Sequence, residues 1–551
     1  MIILGLHGWK GTHDAAAALI IDGEVIACME EERLSRRKHA VSDTPLLAAH
    51  AVLHQAGIGW DDVDVVAYGW DLPGYLAGMG RPWPFQGDRE FLTSTFQIDG
   101  LGRCPAVQWV DHHAAHAACA FYSSPFARAA VLVVDGQGED RSISLFSGDR
   151  DAGLRLVRDW EPSCSLGLMY EAATKHCGFG FLEAGKTMGL SAFGGRSADP
   201  LPIAWADDEI LSPIARGLRE DAVTDAWSRI FVDRFGAPVR PGRRFDPVAG
   251  RLRWARDDTA PHYPDVAAAA QEAVERMLFA LVDHARRATG QGNVVLAGGV
   301  ALNCVANGLL LDQCDALFVP PTAHDAGAAL GAAMWVAAQA NEPLRAPDGA
   351  RLGLEFSPDD IQAVLDEANL GYRRTDDPAR EAAERIERGE ILGWFQGRTE
   401  IGPRALGGRS ILGSPLPAGN RDRVNRIKGR EPWRPLAPSA LAADTRWMFG
   451  RDIDSPFMLQ SLTLTDDAAR RIPAVAHVDG STRVQTVRPD PDDPYARMLA
   501  ELGRRTGTSV VLNTSFNAGF EPIVCTPADA IRTFSAMGLD TLILGDFVLT
   551  K

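Results

Sequence analysis

The sequence predicts two domains of the α/β class, the first a duplicated α/β domain and the second α/β to α+β in character. Three observations carry this. Residues 2–6 form an apolar strand that runs into a polar turn at 8–14, followed by a hairpin at 15–21 and 24–29 closed on Asp22-Gly23, a pair suited to a two-residue turn. About 130 residues on, the plan recurs. Residues 130–134 make a strand, 135–140 an acidic Gly-rich turn, 142–146 the next strand and Gly148-Asp149 another turn. The third observation is a break at 341–353, where Pro343 and Pro347 stand among glycines and charges, so the domains are expected at 1–345 and 354–551. A chain of 551 residues is too long for one core.

Composition narrows the function classes. Hydrophobic residues at 46% and charged residues at 23% are those of a water-exposed globular protein. A net charge of −16 argues against a general nucleic-acid or anionic-membrane binder. The eight cysteines include no CxxC pair, which excludes a zinc ribbon and fits reduced thiols in the cytoplasm. The first residues lack a basic leader and read as a strand, and no apolar run reaches the roughly 18 residues that would predict a transmembrane helix.

Taken in order, the elements expose candidate chemistry. In residues 110–122 His112 and His116 stand four apart, so on a helix both imidazoles leave one face and can grip a divalent metal. An ordinary polar helix face is the alternative. Asp135, at the tip of the 131–134 strand, is a natural third ligand. Residues 197–263 read as an insertion rich in Asp, Arg and Pro, and 265–289 as an amphipathic helix ended by Gly290. Residues 293–307 read as strand, diglycine turn and helix, where Gly298 and Gly299 allow close approach of an anion to the backbone. After a strand at 316–320, Asp325 begins a helix of small residues at 326–340, as a helix cap or as a fourth metal ligand.

The second domain carries a cationic cluster. Between residues 393 and 434 lie Arg398, Arg404, Arg409, Arg421, Arg423, Arg426, Lys428, Arg430 and Arg434, opposed by Glu400, Asp422 and Glu431 alone. A local excess of +6 in a chain of −16, interleaved with Gly and Pro, predicts a polyanion pocket of guanidinium forks and backbone amides, with Ser410 in the same run. Residues 510–517 add a buried strand and the small donors Asn513, Ser515 and Asn517.

The duplicated plan resembles the actin-like ATPase superfamily, in which the turn after the first strand of each half faces the phosphates of a nucleotide. Nine motifs then occur in order. They are HDAAAAL at His13, HHAAH at His112, DGQGE at Asp135, EAGKTMGLSAFG at Glu183 and GGVALN at Gly298. HDAGAALGAA at His324, GPRALGGRSIL at Gly402, KGREPWRPLAPS at Lys428 and LNTSFN at Leu512 complete the set. Together they resemble the O-carbamoyltransferases of nodulation-factor and antibiotic biosynthesis, the NodU and cephalosporin-carbamoyltransferase family, over nearly the whole chain.

The resemblance implies an actin-like domain followed by a YrdC-like domain. The second would make carbamoyl adenylate from carbamoyl phosphate and ATP with Mg. The first would pass the carbamoyl group to a hydroxyl of a small acceptor such as a secondary metabolite. It implies a metal site at His112, His116, Asp135 and Asp325, typically iron(II), whereas the donor set alone also suits manganese(II) or zinc(II). Gly136, Gly138, Glu139, Lys186, Gly298, Gly299 and Asn303 are the expected adenylate contacts. Arg398, Arg404, Arg409, Ser410, Lys428, Arg430, Arg434, Asn513, Ser515 and Asn517 are expected around carbamoyl phosphate and ATP. His13, in the first polar turn, is the candidate base. Lys38 is a candidate phosphate contact. The competing readings are a tRNA threonylcarbamoyl-type transferase, disfavoured by the acidity, and a non-catalytic nucleotide-binding actin-like protein.

Overall fold

The computed structural model describes residues 1–195, 199–239 and 263–551. These divide into two compact units, one running from Met1 to Asp348 and the other from Gly349 to Lys551.

The first unit contains the same sheet twice. In the first copy β1 (Ile2–His7), β2 (Ala16–Ile21), β3 (Glu24–Glu30), β4 (Val65–Tyr68) and β5 (Ala106–Trp109) lie in the order β3-β2-β1-β4-β5. β1 pairs antiparallel with β2 and parallel with β4, and β4 pairs parallel with β5. In the second copy β6 (Arg128–Val134), β7 (Ile143–Asp149) and β8 (Gly153–Trp160) form the meander. After a small separate hairpin of β9 (Ala204–Ala206) and β10 (Glu209–Leu211), β11 (Asn293–Ala297) and β12 (Ala316–Phe318) complete the order β8-β7-β6-β11-β12, with the same parallel and antiparallel pairings. This is the duplicated actin-like α/β arrangement. The β2–β3 hairpin turns through Asp22 and Gly23, both at positive φ (50° and 80°), as a twist-matched two-residue turn requires.

Each copy sends a helix back from its fifth strand: His112–Ser123 after β5 and Ala326–Gln339 after β12. Small residues let the second of these helices pack closely against the loop before it and against β1. A β-carbon on Gly327 would lie 2.0 Å from the Thr322 carbonyl oxygen, and one on Gly5 would lie 2.0 Å from that of Ala329. The 27-residue helix Tyr263–Thr289 buries one long apolar face, as its period of 3.6 dictates. Of the expected insertion, residues 199–239 hold the β9–β10 hairpin and the helix Glu220–Phe235. Residues 197–198 and 240–262 lie outside the described residues.

The second unit is built on a mixed eight-stranded sheet. Its strands are β13 (Arg373–Arg374), β14 (Leu392–Phe395), β15 (Arg409–Gly413), β16 (Ala437–Leu441), β19 (Gln485–Val487), β20 (Val510–Ser515), β21 (Thr541–Leu544) and β22 (Phe547–Thr550). They lie in the order β13-β22-β21-β14-β15-β20-β16-β19, while β17 (Ser461–Thr463) and β18 (Ser481–Arg483) pair separately. Trp394, Tyr495, Leu412 and Val511 belong to the core beneath this sheet. Among the described residues no helix is long and apolar enough to cross a membrane.

Candidate functional site

In the first unit, His112, His116, Asp135 and Asp325 are all buried and offer ligand atoms within 4.8 Å of one another. Their placement follows from the two sheet copies. His112 opens the helix after β5, and His116 follows it by one turn on the same face. Asp135 follows the last residue of β6, and Asp325 stands where the equivalent helix after β12 begins. Asp325 makes no capping bond with its side chain; its carboxylate turns to the imidazoles instead.

The ring nitrogens are oriented for coordination. His112 Nδ1 donates to the Gly69 carbonyl at 3.0 Å, which leaves Nε2 as a lone-pair donor 3.1 Å from His116 Nε2. The Gly299 N–H donates to Asp135 Oδ1 at 2.8 Å, and Oδ2 faces His112 Nε2 at 3.5 Å and His116 Nε2 at 3.6 Å. Asp325 Oδ1 lies 3.7 Å from His112 Nε2 and 3.6 Å from His116 Nε2. Burial pulls both imidazoles down, but Asp325 and Asp135 outweigh it and hold them above the usual histidine range. The same pairing holds Asp135 and Asp325 below the usual carboxylate range despite their burial. The cluster thus sets two imidazole nitrogens against two carboxylates in a buried space. Two imidazole nitrogens and two carboxylate oxygens within 4.8 Å of one another, buried together, are a donor set that fits a divalent metal.

Beside the cluster, Asp14 holds two imidazoles at once. His13 Nδ1 lies 3.0 Å from its Oδ2, and His39 Nδ1 lies 2.9 Å from its Oδ1. His13 Nδ1 is also 3.6 Å from Asp325 Oδ2. Burial pulls His13 down, yet Asp325, Asp14 and Asp135 together raise it to about 9. Backbone strain concentrates here: Asp14, His39, Ala40 and Ser42 all have positive φ.

The other expected contacts of this unit divide. Gly298, at φ 85°, runs so close to β6 that a β-carbon would lie 2.3 Å from the Val134 carbonyl oxygen. The diglycine therefore serves the grip on Asp135. Glu139 accepts from the backbone N–H groups of Asp71 and His112, at 2.9 and 3.1 Å. Gly136 accepts from Ser165 Oγ through its carbonyl at 2.6 Å, and Gly138 sits against the His113 ring. Asn303 caps the helix Cys304–Leu310 and bonds Gln271. Lys186 pairs with Glu183 at 2.6 Å, and Lys38 depresses the same carboxyl from a distance.

In the second unit the expected cations play unlike parts. Arg409 is fully buried, stacks 3.5 Å above the Phe395 ring centre and donates from Nη1 to the carbonyls of Gln396, Gly397 and Gly408. Arg398 donates to the carbonyls of Leu352 and Gly353. Lys428 Nζ reaches the Ser515 carbonyl, and the Asn517 carbonyl and Oδ1 at 2.8 and 2.9 Å. Ser410 Oγ accepts from Gly407 N–H, and Asn513 Nδ2 donates to the Ala405 carbonyl. Arg404 directly precedes Ala405 in the loop that these two bonds tie down.

Arg430 is different. Nε donates to Asn425 Oδ1 at 2.7 Å, but Nη2 is buried without a hydrogen-bond partner. Burial, with the positive charges of Arg434 and Arg483 nearby, pushes its guanidinium well below the ordinary arginine range. Arg434 and Arg483 thus add positive charge beside the buried Arg430 guanidinium.

Sequence reasoning passed over His7, Asp14, His39 and Arg483. The HDAAAAL motif contains Asp14, and His39 directly follows Lys38, but neither was singled out. His7 and Arg483 are lone residues at strand ends and carry no spacing signal.

The sequence profile of the carbamoyltransferase N-terminus matches residues 3–75 and 102–334, and that of the carbamoyltransferase C-terminus matches 383–551. The chain is 36% identical to an uncharacterised protein of Synechocystis sp. over 100% of this chain and 96% of that one. It is 35% identical to nodulation protein NolNO of Sinorhizobium fredii, over 98% of this chain and 79% of the relative. Against the 3'-hydroxymethylcephem-O-carbamoyltransferase of Amycolatopsis lactamdurans it is 29% identical, over 98% of each.

Proposed function

The chain belongs to the carbamoyltransferase family, and on that premise we propose that it carries a carbamoyl group from carbamoyl phosphate, through an adenylate made with ATP and Mg, to a hydroxyl of a small-molecule acceptor. The observation that carries the reading is the presence in one chain of two unlike centres: a buried pair of imidazoles and carboxylates in the first unit, and mutually repelling guanidinium groups in the second.

The chemistry assigns each a task. Carbamate is too stable to acylate an alcohol directly. Carbamoyl phosphate first loses phosphate to water; the carbamate oxygen then attacks the α-phosphorus of ATP, and pyrophosphate leaves. Arg430, Arg434 and Arg483 neutralise the phosphates during these steps, with Arg404 and Lys428 at the neighbouring loops. The resulting mixed anhydride has AMP as a good leaving group.

In the first unit the turns at Gly136–Gly138 and Gly298–Gly299 border the site that receives the adenylate, with Lys38 and Lys186 as phosphate contacts. The metal assigned to His112, His116, Asp135 and Asp325 is iron(II), with manganese(II) and zinc(II) equally compatible with the donors. Bound there, it supplies a Lewis acid toward the carbonyl oxygen. Asp14 fixes the His13 ring through Nδ1 and leaves Nε2 to take the proton of the attacking hydroxyl. The hydroxyl oxygen bonds to the carbonyl carbon, the anhydride bond breaks, and AMP departs. With Asp135 and Asp325 holding a cation, their pull on His13 would be smaller, and the ring would be able to act as a base near neutral pH. Eight free cysteines accord with a cytoplasmic setting.

The test is incubation of the protein with carbamoyl phosphate, ATP and a panel of hydroxyl-bearing natural products. Expected are pyrophosphate release that depends on carbamoyl phosphate and an acceptor heavier by one carbamoyl group. Pyrophosphate release indifferent to carbamoyl phosphate sinks the proposal.

A further inference from the structure

His7 is the last residue of β1 and fully buried, and its Nε2 has no hydrogen-bond partner. Its surroundings restrict what that nitrogen is for. On one side, Nδ1 lies 3.4 Å from the Gly69 carbonyl, the oxygen that already accepts His112 Nδ1–H at the shorter 3.0 Å. On the other, Nε2 lies 3.7 Å from Asp325 Oδ2. With the carbonyl served by His112, the ring proton of His7 is best placed on Nε2, where the carboxylate is the acceptor in reach. The rings of His7 and His112 lie 5.2 Å apart, and both stand beside Trp70, at 6.2 and 4.5 Å.

The two oxygens of Asp325 therefore have different neighbours. Oδ1 faces His112 and His116, the nitrogens of the candidate metal centre. Oδ2 faces away from them, between His7 Nε2 and His13 Nδ1. His13 Nδ1 is already engaged with Asp14 at 3.0 Å, so His7 is the neighbour whose N–H is uncommitted.

We infer that His7 is a positioning residue for the metal centre: its Nε2–H holds the outer oxygen of Asp325, so that the carboxylate offers a cation Oδ1 alone. The sheet duplication supports this. His7 ends the first strand of the first copy, as Asp135 follows the first strand of the second. The helices after the fifth strands bring His112 and Asp325. The inference rests on the metal reading given above.

Cobalt(II), added alone to the metal-free full-length protein, is the probe. The wild-type protein should bind one cobalt ion with visible d–d bands. His7→Phe keeps the ring volume and removes the N–H; it should weaken cobalt about 10–100-fold, the usual cost of losing an outer-sphere partner, and alter band intensity as the carboxylate becomes free to bind through both oxygens. His7→Gln, which can still donate to Oδ2, should stay within about threefold of wild type. Unchanged affinity and spectrum in His7→Phe overturn the inference. X-ray absorption of cobalt in the wild-type protein decides the matter independently if the variant does not fold. Two imidazoles in the inner sphere are expected, and three would make His7 a ligand and overturn the positioning role. Failure of the wild-type protein to bind cobalt would instead defeat the metal reading itself.

Discussion

A β-carbon on Gly331 would lie 1.8 Å from the carbonyl oxygen of Ala115. That oxygen belongs to the residue just before His116, and Gly331 lies in the second turn of the helix that starts beside Asp325. The contact sets how near the two candidate ligand-bearing helices can come. Gly331→Ala forces them apart, at a cost of about 1–3 kcal/mol typical of overpacking, and moves Asp325 away from the imidazoles. A lower melting temperature together with weaker cobalt binding is expected. Unchanged values of both would show that the helices have slack.

His116→Ala should leave a folded protein that no longer holds metal. The residue lies inside a helix whose register Ala favours, so the loss falls on the centre. Elemental analysis after dialysis against iron(II) or cobalt(II) should show occupancy reduced at least about tenfold. Stoichiometric metal in this variant would remove His116 from the ligand set.

Arg430 and Arg409 should fail differently. Arg409 ties three loop carbonyls and covers Phe395, so Arg409→Ala should mainly lower the melting temperature. Arg430 keeps a buried, unbonded Nη2, so Arg430→Ala should slow pyrophosphate release by about 2–4 kcal/mol of barrier while leaving the melt within a few degrees. Rate assays at saturating ATP and parallel melts separate the two. Equal loss of stability in both variants would mean that Arg430 also serves the fold.

Glu31 supplies a pH test of a buried carboxyl outside the candidate ligand set. It is 3% exposed and accepts from Leu47 and Ala48 backbone N–H groups, at 3.2 and 2.8 Å. Burial outweighs these bonds and raises its carboxyl from 4.5 to about 7. A raised folded-state value favours the protonated fold. Its stabilisation is complete below pH 4.5 and is lost as pH climbs through about 7. Glu31→Gln should therefore be more stable relative to wild type at pH 8 than at pH 5. An equal difference in melting temperature at both values would contradict the assignment.

Much of the first unit was legible because its signals are periodic. The i, i+4 spacing of His112 and His116, the strand before Asp135 and the Asp22-Gly23 hairpin each express a local rule that packing did not override. Asp325 carried two readings, cap or ligand, and only the folded chain shows its side chain uninvolved in capping. His7 and Asp14 were illegible as partners because what they touch lies far along the chain: Gly69 and Asp325 for His7, His39 for Asp14. The cationic run was legible as a cluster but not in its parts. Counting charges cannot separate a guanidinium such as Arg409, spent on loop carbonyls, from one such as Arg430, left short of acceptors. That difference depends on where a Gly-rich backbone leaves its oxygens.

The repeated sheet gives the first unit an internal pseudo-symmetry, and the buried cluster straddles it. His112 and His116 come from one repeat, Asp135 and Asp325 from the other. A cation at this point is a rivet through two halves of one unit, and its affinity is coupled to how tightly they close. Stripping it with a chelator should speed amide exchange along the Ala115–Gly331 seam before it alters either five-stranded sheet, so that metal content acts as a mechanical setting of the domain as well as a chemical one.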